Sequence, residues 1–524
     1  MKLNKRWTDL KGHLEKAFEE KPERYKPLLA VRDADPEYLR EVAHVKRLLE
    51  WWVADDEFRT EMMADSKAAA KKVGVEVDAE ECRSLWDENF CLNVLRAGVP
   101  MPQLAARYRM WCMEKMIDRE TIRVETAAPS NRKHAAWRER QMQRILGQMG
   151  SGPFDSIIHA PFAMELSDGC SVGCWFCGIS AEKRKSDFLY TEENARLFQG
   201  CVAVLHDLLG DAAREGFLYW ATDPLDNPDY EKFAFDLSQV TGKFPQTTTA
   251  QAHKYIERVR KLLKLSRANG GFIDRFSVLS LGIFKTIVNS FTPEELLYAE
   301  LVVQNMEATS MQSNSGRARK SQRIQKKAEF NGYAAGTWED EPGTIACVSG
   351  FLINMVRKSV RLISPVPCTD EWPNGYWVIE EANFTDAESF RELLTGMVER
   401  HMPTILRAST PVRFRPDIKF ARTENGCRTT SYGLTTNFPA GHGYERICEA
   451  LAEGKSTAGE IAISVEDHDG VPAHEVMNIL YGFFGKGMLD EAPPLPQSSA
   501  TPGTAHPAGK EAQTAAMNAE MAAV

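Results

Sequence analysis

Three of the chain's 11 cysteines fall in one short run, Cys170-Ser-Val-Gly-Cys174-Trp-Phe-Cys177. The others, Cys82, Cys91, Cys112, Cys201, Cys347, Cys368, Cys427 and Cys448, are isolated. Three thiolates at this spacing can ligate three irons of a cubane [4Fe–4S] cluster. The fourth iron is then left without a protein ligand, open to a cofactor or substrate. Gly173 and Gly178 let the backbone curl around such a cluster without a Cβ penalty. Two other readings compete. A structural zinc site wants four ligands, commonly as paired Cys-x-x-Cys units. The loop has no fourth Cys or His, and the nearest, His159, sits near the start of the preceding strand. A purely electron-transferring cluster usually has four cysteines. The expectation is a redox cluster with one open iron, held by Cys170, Cys174 and Cys177.

Such a loop needs a rigid element on either side. Ser156–Leu166 reads as a strand leading into the cysteines. Helical runs at Glu193–Leu209, Tyr230–Val240, Tyr255–Ser266 and Pro293–Met306 alternate with β-type runs at Gly216–Ala221, Pro245–Ala250 and Asp274–Leu281. Alternating β and α elements imply a parallel sheet, open or closed into a barrel. The basic stretch Gly316–Lys327 interrupts the pattern and reads as a solvated loop or helix face. Thr344–Val356 and Gly375–Glu380 supply later strands.

The flanks differ in character. Residues 1–150 read as helical. Leu10, Leu14 and Phe18 repeat at helical spacing, and Asp35-Pro36 opens a helix with an N-cap acceptor and a proline at its first position. Further helices are expected at Leu104–Met116 and His134–Gln148, and Gly150-Ser-Gly-Pro153 marks a boundary. Residues 401–490 hold a small unit, with its three helices within 441–490. Tyr444, Ile447, Cys448 and Leu451 share one helix face, Thr457-Ala-Gly-Glu460 is a capping box, and Pro472 opens a third helix. With Lys486–Leu489 as a wing, the pattern suggests a winged-helix-like module. Residues 491–524, rich in Pro, Ala, Ser and Thr, read as a disordered tail. The organisation is thus 1–150, 151–400, 401–490 and 491–524. A length of 524 residues suits several domains, and a net charge of -9 gives no global pull toward nucleic acid or anionic membrane. No secretory signal and no membrane-length apolar run are seen, so the expectation is a soluble, cytoplasmic protein.

The Cys-x-x-x-Cys-x-Phe-Cys pattern is the signature of the radical S-adenosylmethionine (SAM) superfamily, which this chain resembles. The resemblance implies an α/β fold: a partial (β/α)6 barrel with the cluster loop after its first strand. It also implies a [4Fe–4S] cluster and S-adenosyl-L-methionine as cofactors. SAM binds the open iron through its amino and carboxylate groups, and one electron cleaves it to a 5′-deoxyadenosyl radical. Phe176 matches the aromatic residue that contacts the adenine. Ala221-Thr-Asp-Pro-Leu-Asp-Asn-Pro-Asp229 stands where the superfamily has a Gly-Gly-Glu-Pro-type run that binds the SAM amino group. The proline and the trailing Asn-Pro-Asp match, while the glycines and glutamate are absent. Thr222 and Asp223 would have to do that work. Ser277 is the first choice for a ribose contact. Taken singly, each is also readable as an ordinary turn or strand residue.

The whole arrangement resembles the peptide epimerases that mature ribosomally made peptides, including the proteusin type. The similar stretches are Glu165-Leu-Ser-Asp-Gly-Cys170 through Ile179, Pro245-Gln-Thr-Thr-Thr-Ala250, Gly350-Phe-Leu-Ile-Asn-Met-Val356 and Leu362 through Tyr376, within about residues 150–400. Residues 55–77 resemble the leader segment of nitrile-hydratase-type precursors, and read equally as an amphipathic helix capped by Asp65. The isolated later cysteines imply a single cluster, which suits epimerisation because that reaction is redox-neutral for the peptide. The epimerases return hydrogen from a cysteine. Of Cys347, Cys368 and Cys427, Cys368 follows a strand in a rigid loop and is the choice. The partners implied are a precursor peptide with a leader and an electron donor such as flavodoxin or ferredoxin. The winged-helix-like unit would take the leader as an added strand. Cross-linking, thioether formation and methylation are the neighbouring alternatives. A non-enzymatic DNA-binding module is disfavoured because Pro472–Phe484 contains no Lys or Arg.

Overall fold

The computed structural model describes residues 36–98, 100–121, 128–271, 273–310, 314–332 and 342–491. The expected helix around Leu10–Phe18 and the tail after Glu491 lie outside them. The architecture is mixed α/β.

Strand β1, Ala160–Glu165, is buried along its whole length, as an apolar strand covered on both faces should be. Two short strands follow it, β2 (Ser167–Asp168) and β3 (Ser186–Asp187), paired antiparallel. They close the neck of the loop that carries the three cysteines. The run Gly216–Ala221, expected as a strand, contributes one parallel bridge, Ala163 to Phe217, with Met164 N–H donating to Phe217 O at 2.9 Å. Phe217, Tyr219, Trp220 and Ala221 all pack into one cluster with Ala163 and Leu352. That breaks the alternation a strand needs.

The parallel series continues through β4 (Thr248–Thr249), β5 (Asp274–Val278) and β6 (Ala299–Val303). Helices Glu192–Leu209, Tyr230–Thr241, Ile256–Ala268 and Leu281–Ser290 alternate with these strands. Two expectations are corrected here. Leu281 opens a helix rather than ending a strand. The Ser280 side chain accepts from Ile283 N and caps it, and Phe284, Ile287 and Val288 form its buried face. The expected helix Pro293–Met306 is instead a turn followed by β6, whose Leu301-Val302-Val303 favours extended backbone.

On the other side of β1 lies β7 (Val348–Asn354), parallel to it and fully buried. It is followed by antiparallel β8 (Ser359–Pro365) and β9 (Tyr376–Asn383). One sheet is thus ordered β1-β7-β8-β9 and another β4-β5-β6, and the Phe217 bridge lies against β1 of the first.

The N-terminal helices cover the edge strand β6, as exposed edges usually require. Helix Pro36–Ala54 sends Lys46 Nζ to Ala299 O at 2.7 Å and Arg47 Nη1 to Val288 O at 2.8 Å. Residues 55–77 form two short helices, Asp56–Ala64 and Ser66–Lys72, and Asp65 ends the first while capping the second. Arg59 Nη2 ties the first of them to Glu307 O at 2.8 Å. The leader-like segment is therefore packed as part of this domain, in the manner of an ordinary capped helix pair.

The C-terminal unit has its own core, which begins at Leu406 rather than at 441. Helices Tyr444–Glu453, Ala458–Asp469 and Ala473–Gly485 match expectation, including the Thr457–Glu460 capping box. Ahead of them stands an unanticipated antiparallel sheet, β10 (Lys419–Thr423), β11 (Gly426–Thr430) and β12 (Thr435–Pro439). The expected wing is reduced to a bridge from Leu489 to Phe414. The unit docks on helix Arg132–Met149, with Arg415 Nη1 donating to Gly487 O at 2.7 Å and to Arg144 O at 3.3 Å. Among the described residues no helix is long and apolar enough to cross a membrane.

Candidate functional site

The cysteine loop leaves β1 at its C-terminal end, the end at which sites are built in parallel α/β sheets. Its neck is pinned by Cys170 N–H to Glu182 O at 2.9 Å and Arg184 N–H to Cys170 O at 3.1 Å. All three thiols are half-buried. Burial pushes the Cys170 thiol up to about 11, and burial followed by the neighbouring thiols pushes the Cys174 thiol up to about 12. A bound cation would be needed to hold them ionised. Cys177 Sγ accepts the Ala181 N–H at 3.2 Å. Among the described residues no three Cys, His, Asp or Glu side chains converge on a point fit for one metal ion. In a cubane each thiolate binds a different iron, so the three need not meet.

Carboxylates absent from the sequence-based site hold this loop. Asp226 accepts from Ser171 N–H at 2.8 Å, from Ser171 Oγ, and from Gln251 Nε2 at 2.9 Å. The residue next to Cys170 is thereby tied to the turn after the Phe217 segment and to the end of β4. Asn227 Nδ2 donates to both Leu166 O and Phe188 O at 2.8 Å, bracing the two sides of the neck. Glu165, the last residue of β1, accepts from Ala221 N at 2.9 Å and Asn354 Nδ2 at 3.1 Å. Burial raises its pKa, against the pull of Arg361.

The expected cofactor contacts gather around this loop. Asp223 is deeply buried, and burial raises its pKa. Its Oδ1 accepts from Thr249 Oγ1 at 2.8 Å and Leu225 N at 3.0 Å, and its Oδ2 from Ala250 N at 2.7 Å. Most of its acceptor capacity is thus spent on positioning strand ends. Thr222 differs: its Oγ1 is buried and has no hydrogen-bond partner. Phe176 is buried against Ala318 and Ile324, with Leu279 beside it. Leu279 directly follows β5, so Phe176 lies next to the strand end that bears half-buried Ser277.

The basic stretch Gly316–Lys327 presents Arg317, Lys320, Arg323 and Lys326 at the surface, as a solvated helix face does, but its other face is packed. It folds as helices Gly316–Arg319 and Gln322–Phe330, and their buried face covers the cysteine loop. Arg317 N donates to Cys177 O at 2.9 Å, Arg317 Nη1 to Cys174 O at 2.9 Å, and Arg317 Nη2 to Ala181 O at 2.9 Å. Ser315 Oγ donates to Gly178 O at 2.9 Å. Gly316, at φ +56°, lies so close that a Cβ there would sit 2.4 Å from Gly178 O. Gly178 is equally constrained, because its Cβ would meet the Ile345 side chain at 2.5 Å.

The same short helix reaches the loop between β8 and β9. Gly316 N donates to Pro373 O at 2.8 Å, and Arg319 Nη1 donates to Cys368 O. Cys368 is buried, and its Sγ–H also donates to Pro373 O, at 3.0 Å. One peptide carbonyl is therefore shared by the Cys368 thiol and the helix that grips the cysteine loop. The other two thiols are placed differently. Cys347 packs against Ile145, Met149 and Ile157, with Sγ donating to Ile345 O at 3.2 Å. Cys427 is buried in the core of the C-terminal unit against Cys448.

No family model matches the chain. The crystal structure of BtrN in complex with AdoMet and 2-DOIA aligns with 46% of this chain and 82% of its own, at a TM-score of 0.29 and 12% identity. A likeness that low carries no argument. The uncharacterized protein y4wI of Sinorhizobium fredii (strain NBRC 101917 / NGR234) is 35% identical over 465 residues, covering 87% of this chain and 88% of that protein. With near-complete coverage of both proteins at that identity, the chain belongs to the same family as y4wI.

Proposed function

We propose that the chain is a radical SAM enzyme that epimerises residues of a ribosomally made precursor peptide. One observation carries the reading. A half-buried three-cysteine loop at the end of a parallel strand is braced, through a single short helix, against a loop bearing a separate thiol, Cys368. The chemistry of the donor set suits the group it would hold: three soft, free thiols in one loop and a buried, unpartnered hydroxyl on Thr222. Cys170, Cys174 and Cys177 would ligate three irons of a [4Fe–4S] cluster, with SAM on the fourth. Bound there, the two supply one electron and a carbon radical that accepts a hydrogen atom.

The remaining work falls to the chain. Asp226 fixes the loop through Ser171. Thr222 offers its hydroxyl to the SAM amino group, Phe176 a face to the adenine, and Ser277 a hydroxyl to the ribose. Asp223 holds the strand ends that carry them. Cys368 keeps a hydrogen on Sγ and returns it to the opposite face of the peptide α-carbon. That step breaks S–H, forms C–H and leaves a thiyl radical on Cys368. One electron from a donor such as flavodoxin or ferredoxin, with one proton from solvent, restores the thiol. The peptide is neither oxidised nor reduced.

Co-expression with a neighbouring precursor gene in deuterated water tests this. The expected product contains D-residues, each with one deuterium at the α-carbon, because thiol hydrogens exchange with solvent. A product whose mass changes in ordinary water would point to cross-linking or group transfer and sink the epimerase assignment.

The leader is assigned to the C-terminal unit. Its sheet, ordered β10-β11-β12, presents outer strands that pair on one side only, and β12 is largely exposed. An extended peptide can add to such an edge. Removing residues 406–491 should weaken precursor binding at least about tenfold, or about 1.4 kcal/mol, while SAM cleavage without peptide persists. Loss of both would make the unit a structural support for the rest of the chain instead.

A further inference from the structure

The proposed reaction needs two thiol sites at a fixed separation, and the chain links them through very few residues. Helix Gly316–Arg319 donates in both directions. Toward the cysteine loop it gives Arg317 N, Nη1 and Nη2 to three carbonyls, those of Cys177, Cys174 and Ala181. Toward the other loop it gives Gly316 N to Pro373 O and Arg319 Nη1 to Cys368 O. A planar guanidinium gives a separate nitrogen to each of two carbonyls in fixed geometry, which a lysine ammonium reproduces only in part. Close packing of Gly316 on Gly178 leaves no slack between helix and loop. Pro373 O accepts from both Gly316 N and Cys368 Sγ, so a shift of the helix alters the thiol's own hydrogen bond.

We propose that Arg317 and Arg319 are positioning residues that couple the three-cysteine loop to the Cys368 thiol, so that loading the loop with iron also fixes Cys368. The coupling rests on the cluster assignment above but not on the reaction catalysed. Three thiolates held on one cluster would restrain the loop beyond these hydrogen bonds, and the helix it holds would share that restraint. When the loop is set by three ligands, Arg317 transmits that order to Pro373 and Cys368.

The test reads Cys368 alkylation by iodoacetamide, followed by peptide mass spectrometry, on the full chain with and without reconstituted iron. Alkylation of a buried thiol reports local opening of its loop. In the wild type, iron should slow Cys368 alkylation about tenfold. Arg317→Ala should keep its iron and lose that difference. Arg319→Ala should label faster in both states, because it frees the Cys368 carbonyl. Arg317→Lys, with a single donor group, should show intermediate protection and serves if the alanine variant misfolds. Cys448, fully buried in the separate C-terminal core, stays unlabelled in any folded variant. Undiminished iron protection in iron-bearing Arg317→Ala would overturn the proposal. So would a wild type in which iron does not bind or leaves the Cys368 rate unchanged. A chain that shows the coupling yet makes no D-residues would refute the epimerase assignment and leave the brace standing.

Discussion

Replacing Cys170, Cys174 and Cys177 with alanine should abolish both iron binding and SAM cleavage, where the reconstituted wild type carries about four irons per chain. The expectation follows from the donor count. Each thiol would serve a different iron, so each thiol removed strips one iron of its protein ligand. Losing one ligand of three leaves a cubane with two open irons, so single variants should also fail, though partial loading is expected. Reduced wild type should give an electron-spin signal that changes on adding SAM, because SAM occupies the open iron. A graded result is expected at the support. Asp226→Ala removes both acceptors of the Ser171 backbone and side-chain donors, and should cost about 1–3 kcal/mol of loop order rather than the site itself. Iron near eight per chain would mean a second cluster and overturn the single-cluster reading. Full iron content in the triple variant would move the metal elsewhere altogether.

What could be read without coordinates was local. Three rare, identical residues within one short run announce themselves, and the strand before them is apolar up to its last residue, Glu165. Capping boxes are equally local, and Thr457 with Glu460 lies where its spacing puts it. The misses have one cause in common. Asp226 meets Ser171 across 55 residues, and Arg317 meets Cys174 across 143. A hydrogen bond of that range leaves no periodicity to detect. A basic run is usually solvated, so nothing in Gly316–Lys327 itself marks a brace. The exchange of helix and strand between Leu281 and Val303 has a different origin. Pro293 followed by two glutamates imitates a helix start, whereas the actual helix is announced only by Ser280 as its cap. The sheet β10-β12 escaped because its two outer strands are largely exposed and its central strand, Gly-Cys-Arg-Thr-Thr, lacks the apolar alternation that marks a half-buried strand.

The second large effect is expected at Cys368. Changing it to alanine should preserve SAM cleavage and loss of the peptide α-hydrogen while suppressing D-residues by at least about a hundredfold, a difference of roughly 2.7 kcal/mol in the returning step. An α-carbon radical is planar, so its handedness depends on the face that receives hydrogen. One face is occupied by the group that removed the first hydrogen, and the donor must stand on the other. A thiol suits this because its S–H bond is weak enough to give a hydrogen atom to a carbon radical. The structure separates the three candidate thiols by position. Cys427 is buried in the C-terminal core beside Cys448, and Cys347 packs against Ile145 and Met149. Cys368 alone shares a carbonyl with the helix that grips the cysteine loop. Its Sγ–H is directed at Pro373 O, so delivery requires the thiol hydrogen to leave that acceptor, a turn about the Cβ–Sγ bond rather than a change of backbone. Cys368→Ser is the sharper variant, since it keeps the size and hydrogen-bonding capacity but has an O–H bond too strong to yield its hydrogen. Both variants should give the same product defect, read by chiral amino-acid analysis after growth in deuterated water. If either still made D-residues carrying deuterium at the α-carbon, Cys368 would not be the donor, and Cys347 would be the next thiol to change.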